Sequence, residues 1–332
     1  MAQVRWWAPI VAALVATVLL VSTAPADGGG TGSTVQEVLG GRQLRLLAPA
    51  APGGGWDQTS REMQRALTDL VGRTEVHNVE GAGGTIGLSQ FTRRGGDPTQ
   101  LMATGLIMVG AVQANDAPQS LSDTTPLARL TTDYQVIVVD RASPITDMPD
   151  VTDRVRRDLP SVSIAGGSAG GVEQILAGLI AQAAGADPGQ LSYVAHSGGG
   201  EALTTLLSGR ATIGIFGLSE IAPQIDAGTV RAVAVSSPDR LPALPAVPTL
   251  RETGLDVELE NWRGVVAPPG ISPEQERALE DLVLEMTRTP EWRDALARRG
   301  WGEATLAGPE FERFVASEQQ RVSQVLAEIG LG

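Results

Sequence analysis

The chain has 332 residues, 42% of them apolar and 19% charged, enough material for about two packed domains at the usual ~150 residues each. It holds no cysteine, only two histidines and no lysine, which removes disulfides, thiolate metal sites, a P-loop lysine, a Schiff-base amine and a histidine-rich metal centre. A formal charge of −13 excludes a nucleic-acid groove, which needs a dominant basic face, but leaves open an anion held by local fields.

Arg5 is the lone charge before an apolar run over residues 6–21, and Ala24-Pro25-Ala26 supplies the small-x-small pattern of a signal-peptidase site. Residues 1–26 are therefore expected to be a signal peptide. The run falls short of the ~20 residues of a comfortable bilayer span, and an uncleaved anchor is the alternative. Either way the folded part lies outside the cytoplasm. Residues 27–41, beginning with Asp27-Gly28-Gly29-Gly30, read as a flexible leader.

Strand and helix patterns then alternate. Residues 43–48 predict a strand, 57–71 a helix with Met63, Leu67, Leu70 and Val71 on one face, and 75–78 a strand. Residues 161–165 are strand-like, and Val172, Ile175, Leu176, Leu179, Ile180 and Ala183 recur at helical spacing. Residues 191–195 predict a strand and 201–207 a helix, while 211–216 and 230–236 are compatible with buried parallel strands. Three helices follow over 273–287, 290–299 and 309–329, each opening on a proline that its first turn tolerates. Phe311, Val315, Val322, Leu326 and Ile329 form a core stripe on the last of them. The rhythm predicts an α/β protein with parallel-rich sheets and no tandem repeats, its two domains sharing chain crossings.

Four glycine-rich loops each sit between a strand and a helix: Pro52-Gly53-Gly54-Gly55-Trp56-Asp57, Gly81-Ala82-Gly83-Gly84-Thr85, Gly166-Gly167-Ser168-Ala169-Gly170-Gly171 and His196-Ser197-Gly198-Gly199-Gly200. Glycine admits a ligand close to the backbone, and a helix N-terminus offers unpaired N–H groups at its positive end. Such loops make anion sites that need no side-chain cation, and open sheets bind ligands at the carboxyl ends of their strands. Asp57 also reads as a cap that orders its loop and pairs with Arg61, Trp56 as a cleft wall, and Ser168 as a helix cap or a donor to a carboxylate. His196 reads equally as a satisfied loop histidine, and His77 as structural.

The order and spacing of these stretches, with Asn78-Val79-Glu80, Arg231-Ala232-Val233-Ala234-Val235-Ser236-Ser237, Asp239-Arg240-Leu241-Pro242, Val247-Pro248-Thr249-Leu250 and Asn261-Trp262-Arg263-Gly264-Val265-Val266-Ala267-Pro268, resemble the solute-binding subunits of tripartite tricarboxylate transporters, the family that includes the Bordetella-type uptake receptors. The resemblance covers residues 43–329. It implies a two-lobed periplasmic-binding-protein fold of the type II kind, with a hinge and an interlobe cleft that closes over a citrate-like di- or tricarboxylate. Lobe 1 would comprise 42–138 and 264–332 and lobe 2 139–263, with crossings near 136–140 and 261–266. The expected ligand-binding residues are Gly53, Gly54, Gly55, Trp56, Asp57, Gly83, Gly84, Thr85, Thr104, Ser168, Ala169, Gly170, Gly171, His196 and Gly198. No metal or cofactor is implied. The partners are the large and small membrane subunits, and the receptor is expected to be a monomer. Relatives often carry Tyr-Lys-Gly where this chain has His196-Ser197-Gly198.

Two other classes compete. A carboxylate receptor feeding a sensor kinase would have the same sequence features. Gly166-Gly167-Ser168-Ala169-Gly170 also fits the G-x-S-x-G nucleophile elbow of a hydrolase, but only His196 follows it, too soon for the intervening strands of that fold. A dinucleotide site on residues 81–87 lacks both the glycine spacing and the later acid.

Overall fold

Short apolar runs become strands and the helically spaced stripes become helices across residues 34–328 and Gly330, which the computed structural model of the chain describes. The expected signal segment 1–26, residues 27–33 of the expected leader, and Ile329 lie outside the described residues. The order is α1 (Val35–Leu39), β1 (Arg45–Ala48), α2 (Gly55–Val71), β2 (Glu75–Asn78), α3 (Thr85–Thr92), β3 (Gln100–Gly105), α4 (Leu106–Ala114), β4 (Thr125–Asp140), α5 (Met148–Asp158), β5 (Ser163–Gly166) and α6 (Val172–Ala183). Then come β6 (Ser192–Ala195), α7 (Gly199–Leu207), β7 (Ile213–Gly217), α8 (Leu218–Asp226), β8 (Val230–Val235), β9 (Glu260–Ala267), α9 (Pro273–Thr287), α10 (Pro290–Arg299), β10 (Gly302–Ala307) and α11 (Gly308–Glu328).

The strands lie in the order β2-β1-β3-β9-β4-β7-β5-β6, with β8 and β10 also paired to β4. β1 is parallel to β2 and β3, and β5 is parallel to β6 and β7. β4 joins these two parallel groups. Its residues 125–134 pair with β9 and its residues 135–138 with β7, so one strand passes from the first sheet into the second at Tyr134–Gln135. This is a two-lobed, mixed α/β fold. The expectation of a parallel strand over 230–236 is corrected: β8 runs antiparallel to β4. The leader is corrected too, because from Thr34 onward it is ordered. Thr34 and Glu37 close a capping box around α1, and Leu39 is buried beside Leu44 and Met63.

The helix stripes bury the faces the sequence assigns. Val172, Ile175, Leu176 and Ile180 of α6 are all within 3% of full burial, at ~1.5–3 kcal/mol for each such side chain. α11 is pinned to β9 by an aromatic cluster. Phe311 and Phe314 meet Trp262 edge-on at centroid distances of 6.0 and 5.3 Å. Trp262 Nε1 donates to Glu318 Oε2 at 2.8 Å, and Arg321 donates to both oxygens of that carboxylate. The C-terminal helix thereby braces the strand that pairs with the sheet-joining strand. Replacing the fully buried Phe311 with alanine should cost about 3–5 kcal/mol in a urea titration, with the cooperative transition kept.

Candidate functional site

Six of the described helices start directly after a glycine that supplies no side-chain cap: α2 after Gly54, α3 after Gly84, α4 after Gly105, α6 after Gly171, α7 after Gly198 and α8 after Gly217. By contrast α1, α5, α9 and α10 are capped by Thr34, Asp147, Ser272 and Thr289, each accepting from a first-turn amide. The first group therefore leaves its leading N–H groups for other acceptors, and the second does not. α4 and α8 follow their strands directly, and α2, α3, α6 and α7 follow theirs after short loops, so each N-terminus stands near that strand's carboxyl end.

Contacts tie these ends into a ring. Trp56, 6% exposed, lays its six-membered ring against Gly84, 2.7 Å from where a Cβ would stand. Gly83 has φ of 59°, and a Cβ there would lie 3.5 Å from Ser168 Oγ of the opposite sheet's loop. His196 joins the third loop to the fourth: its Nδ1 lies 3.1 Å from the Gly166 carbonyl oxygen, which can only accept, so Nδ1 carries a proton. Its Nε2 lies 2.7 Å from Thr205 Oγ1. The Glu220 carboxylate of α8 stands 2.7 Å from the Cβ position of Gly199, and Ser219 Oγ donates to Asp133 Oδ2 at 3.4 Å. Arg263 Nη2 donates to the same Asp133 oxygen at 3.4 Å and lies 2.9 Å from the Cβ position of Gly55, which returns the circuit to the first loop. Across the ring α4 presses on the third loop. A methyl on Gly110 would collide with the Gly170 carbonyl, so the two sheets meet here backbone to backbone.

The centre of the ring is charged. Burial pushes the Glu173 carboxyl up to about 8, reinforced by the negative charge of Glu220. Glu220 is exposed to solvent, and the desolvation imposed by the surrounding protein raises its carboxyl despite Arg263. Burial also raises Asp133, against the pull of Arg263 and the Tyr134 amide, and raises Tyr193, whose hydroxyl donates to the Gly167 carbonyl at 3.0 Å. Arg263 lies over the Trp301 ring at 4.9 Å.

The expected residues separate into two groups. Gly54, Gly55, Gly83, Gly84, Ser168, Gly170, Gly171 and Gly198 stand at the ring with their loops, as does Trp56. The Ser168 hydroxyl makes no cap and, among the described residues, has no histidine partner, so the nucleophile-elbow arrangement is absent there. Ala169 is exposed beside it, and Gly53 is exposed at the outer turn of its loop. Asp57 is spent on the loop itself: Oδ2 accepts from the Gly53 amide at 2.8 Å and from Arg61 Nε at 2.9 Å, and Oδ1 accepts from Asn78 Nδ2 at 2.8 Å. Burial opposes its charge, but these hydrogen bonds prevail and hold the carboxyl below the usual range. Thr104 is fully buried in β3 and donates to Met108 Sδ at 3.4 Å. Thr85 donates to the Ala82 carbonyl and lines a surface hollow of about 440 Å³ with Ile86, Gln90 and Arg93. That hollow takes in one uncapped helix end, so the convergence of loops lies elsewhere. Gly105, Gly217, Asp133, Glu173, Glu220 and Arg263 are not in the sequence-predicted set. Gly105 and Gly217 are single glycines without a run to flag them, and Asp133 and Arg263 become neighbours only when β4 pairs with β9.

Residues 59–331 match the model of the tripartite tricarboxylate transporter family receptor. Protein BugT of Bordetella pertussis is 27% identical over 296 residues, covering 87% of this chain and 90% of that protein. Among solved structures, the periplasmic binding protein BugD has a TM-score of 0.77 at 21% identity, covering 87% of this chain and 98% of that one. R. palustris Rpa4515 with adipate has a TM-score of 0.77 at 23% identity, covering 87% and 97%. At these identities the two structures share the fold with this chain.

Asp57→Asn should lower stability by about 1–3 kcal/mol at neutral pH, since it removes a charged acceptor of three hydrogen bonds. The difference from the parent should vanish as the pH falls below the ordinary carboxylate value of ~3.9 and through the lower folded one, because protonation then costs the parent the same bonds. Urea titrations at neutral and acid pH read both effects.

Proposed function

Because the chain belongs to the tripartite tricarboxylate transporter receptor family, we propose that it is an extracytoplasmic receptor that closes on a di- or tricarboxylate between its two sheets and delivers it to the large and small membrane subunits. The family is one of solute-binding receptors, and the protein is not an enzyme. The observation that carries the reading is the set of six glycine-capped helix ends, bare of side-chain caps, around one ring. A hydrogen bond to a charged group contributes ~1.5–3 kcal/mol, so four or five main-chain donors approach the ~8 kcal/mol of a micromolar complex. The adipate carried by one structural neighbour is a ligand of this class.

In this reading the two lobes meet where β4 changes sheets at Tyr134–Gln135, residues 42–134 with 260–332 forming one lobe and 135–259 the other, rocking on β4 and β9. Loops 1 and 2 present amides from the first lobe, loops 3 and 4 from the second, and Ser168 adds a hydroxyl. The backbone contact of Gly110 with Gly170 belongs to the closed state. Residues 1–26 direct export, and the receptor acts as a monomer.

Isothermal titration across di- and tricarboxylates should find at least one micromolar ligand that also shifts tryptophan emission through Trp56. Silence across that panel contradicts the reading. Gly110→Ala should weaken the best ligand by about tenfold or more, because the added methyl holds the lobes apart, and small-angle scattering should show the loaded variant staying wider than the loaded parent. Ser168→Ala should cost about 1 kcal/mol of affinity without changing the thermal midpoint.

A further inference from the structure

The surface hollow of about 440 Å³ beside the second loop lies outside the convergence of loops. Its near wall is α3, which contributes Ile86, Gln90 and Arg93, and its far wall is the turn after α4, which contributes Asn115, Ala117 and Gln119. Ile86 is 46% exposed, more than any other large apolar side chain among the described residues. A single exposed isoleucine is ordinary. This one stands in the wall of a hollow, on the same helical face as Gln90 and Arg93. Arg93 is exposed, donates to Ser89 Oγ at 3.4 Å, and has no ion-pair partner among the described residues. No acidic side chain lines the hollow, although the chain carries a formal charge of −13. Asp116 is exposed in the far turn but is not one of the lining residues.

Two non-glycine residues have left-handed backbone among the described residues, and both frame this hollow. Ala82, with φ of 47°, lines it, and Asp116, with φ of 45°, sits between the lining residues Asn115 and Ala117. A side chain in that region is strained, an alanine more than an aspartate that can bond locally, and such residues cluster at functional sites. The far wall also touches the cleft. A Cβ on Gly170 of the third loop would stand 2.5 Å from Ala114 Cβ, and Asn115 follows directly. On the near side, a Cβ on Gly83 would collide with the Ala111 methyl. The hollow thus backs onto the seam where α4 meets one loop from each sheet. We infer that it docks an extracytoplasmic segment of a transporter membrane subunit, one that seats an apolar side chain against Ile86 and a carboxylate on Arg93. This rests on the receptor reading and names the surface through which delivery occurs.

Charge and position both select that occupant. A guanidinium with no carboxylate beside it, in a strongly acidic chain, steers an acidic segment to this face and away from the rest. The apolar wall supplies an anchor, and an aliphatic seat beside an arginine is the make-up of a protein interface. Because α4 leads into the far wall, the segment also senses closure. With the lobes shut, the third loop stands against Ala114, one residue from Asn115. On opening, that loop withdraws and the docking face loses its border. The membrane subunit therefore holds the loaded receptor more tightly than the empty one.

The test is surface plasmon resonance of the whole receptor on nanodiscs holding the large and small membrane subunits, with and without the tightest acid of the carboxylate panel. The loaded parent should bind about tenfold tighter than the empty one, and its affinity should fall as salt rises. Arg93→Glu should lose about tenfold or more of the loaded affinity together with most of the salt dependence. Gln90→Trp, which fills the hollow from the exposed face of α3, should lose as much and keep the salt dependence. Calorimetry should find both variants binding the free acid within about twofold of the parent, which also shows that they fold. Docking at parental strength by either variant, or docking that ignores the acid, overturns the inference while the receptor function stands. A parent dimer in sedimentation that both variants lose assigns the hollow to a second copy and overturns it too. A panel in which no acid binds overturns the receptor reading, and this inference with it.

Discussion

A helix whose N-terminal residue is glycine has hydrogen-bond donors to give away. Elsewhere in this protein Thr34, Asp147, Ser272 and Thr289 consume those donors with their own oxygens. Around the ring six helices begin after a glycine that takes none of them, and the rest of the architecture follows from bringing those six ends together. Leaving buried amides unpaired is unfavourable on its own. The arrangement makes sense where an acceptor arrives from outside.

The sheet-joining strand sets where the ends meet. β4 spends residues 125–134 in one sheet and 135–138 in the other, and β9 runs beside its first part. Of the two ion pairs between these strands among the described residues, the more deeply buried, Arg263 with Asp133, lies at that crossing and touches both the first loop and the start of α8. α11 clamps the outer side of β9 through Trp262 and Glu318. A rotation about β4 and β9 would thus move the loops as two rigid groups while the braced strands stay paired.

Much of this was legible in the residues. The α6 stripe, the three proline-led C-terminal helices and the four glycine runs mark their elements because period and turn chemistry are local properties. β4 was hidden, since a strand of 16 residues that changes sheets halfway has no single pattern of burial. β8 was read as parallel because a buried run carries no information about the direction of its neighbour. At the site, the runs of glycine were readable but the isolated Gly105 and Gly217 were not. Asp57 was correctly read as ordering its loop. Arg263 and Asp133 are 130 residues apart in sequence, and Glu173 looks like an ordinary first-turn acid until the loops close around it.

Amide hydrogen exchange, resolved to single residues with and without a bound carboxylate ligand, tests the central claim most directly. The account predicts that exchange slows at the first-turn amides of α2, α3, α6 and α7, while the side-chain-capped starts of α5, α9 and α10 are unchanged. Protection that falls on side-chain-capped helices, or that leaves the glycine-capped ends exchanging as before, would contradict it.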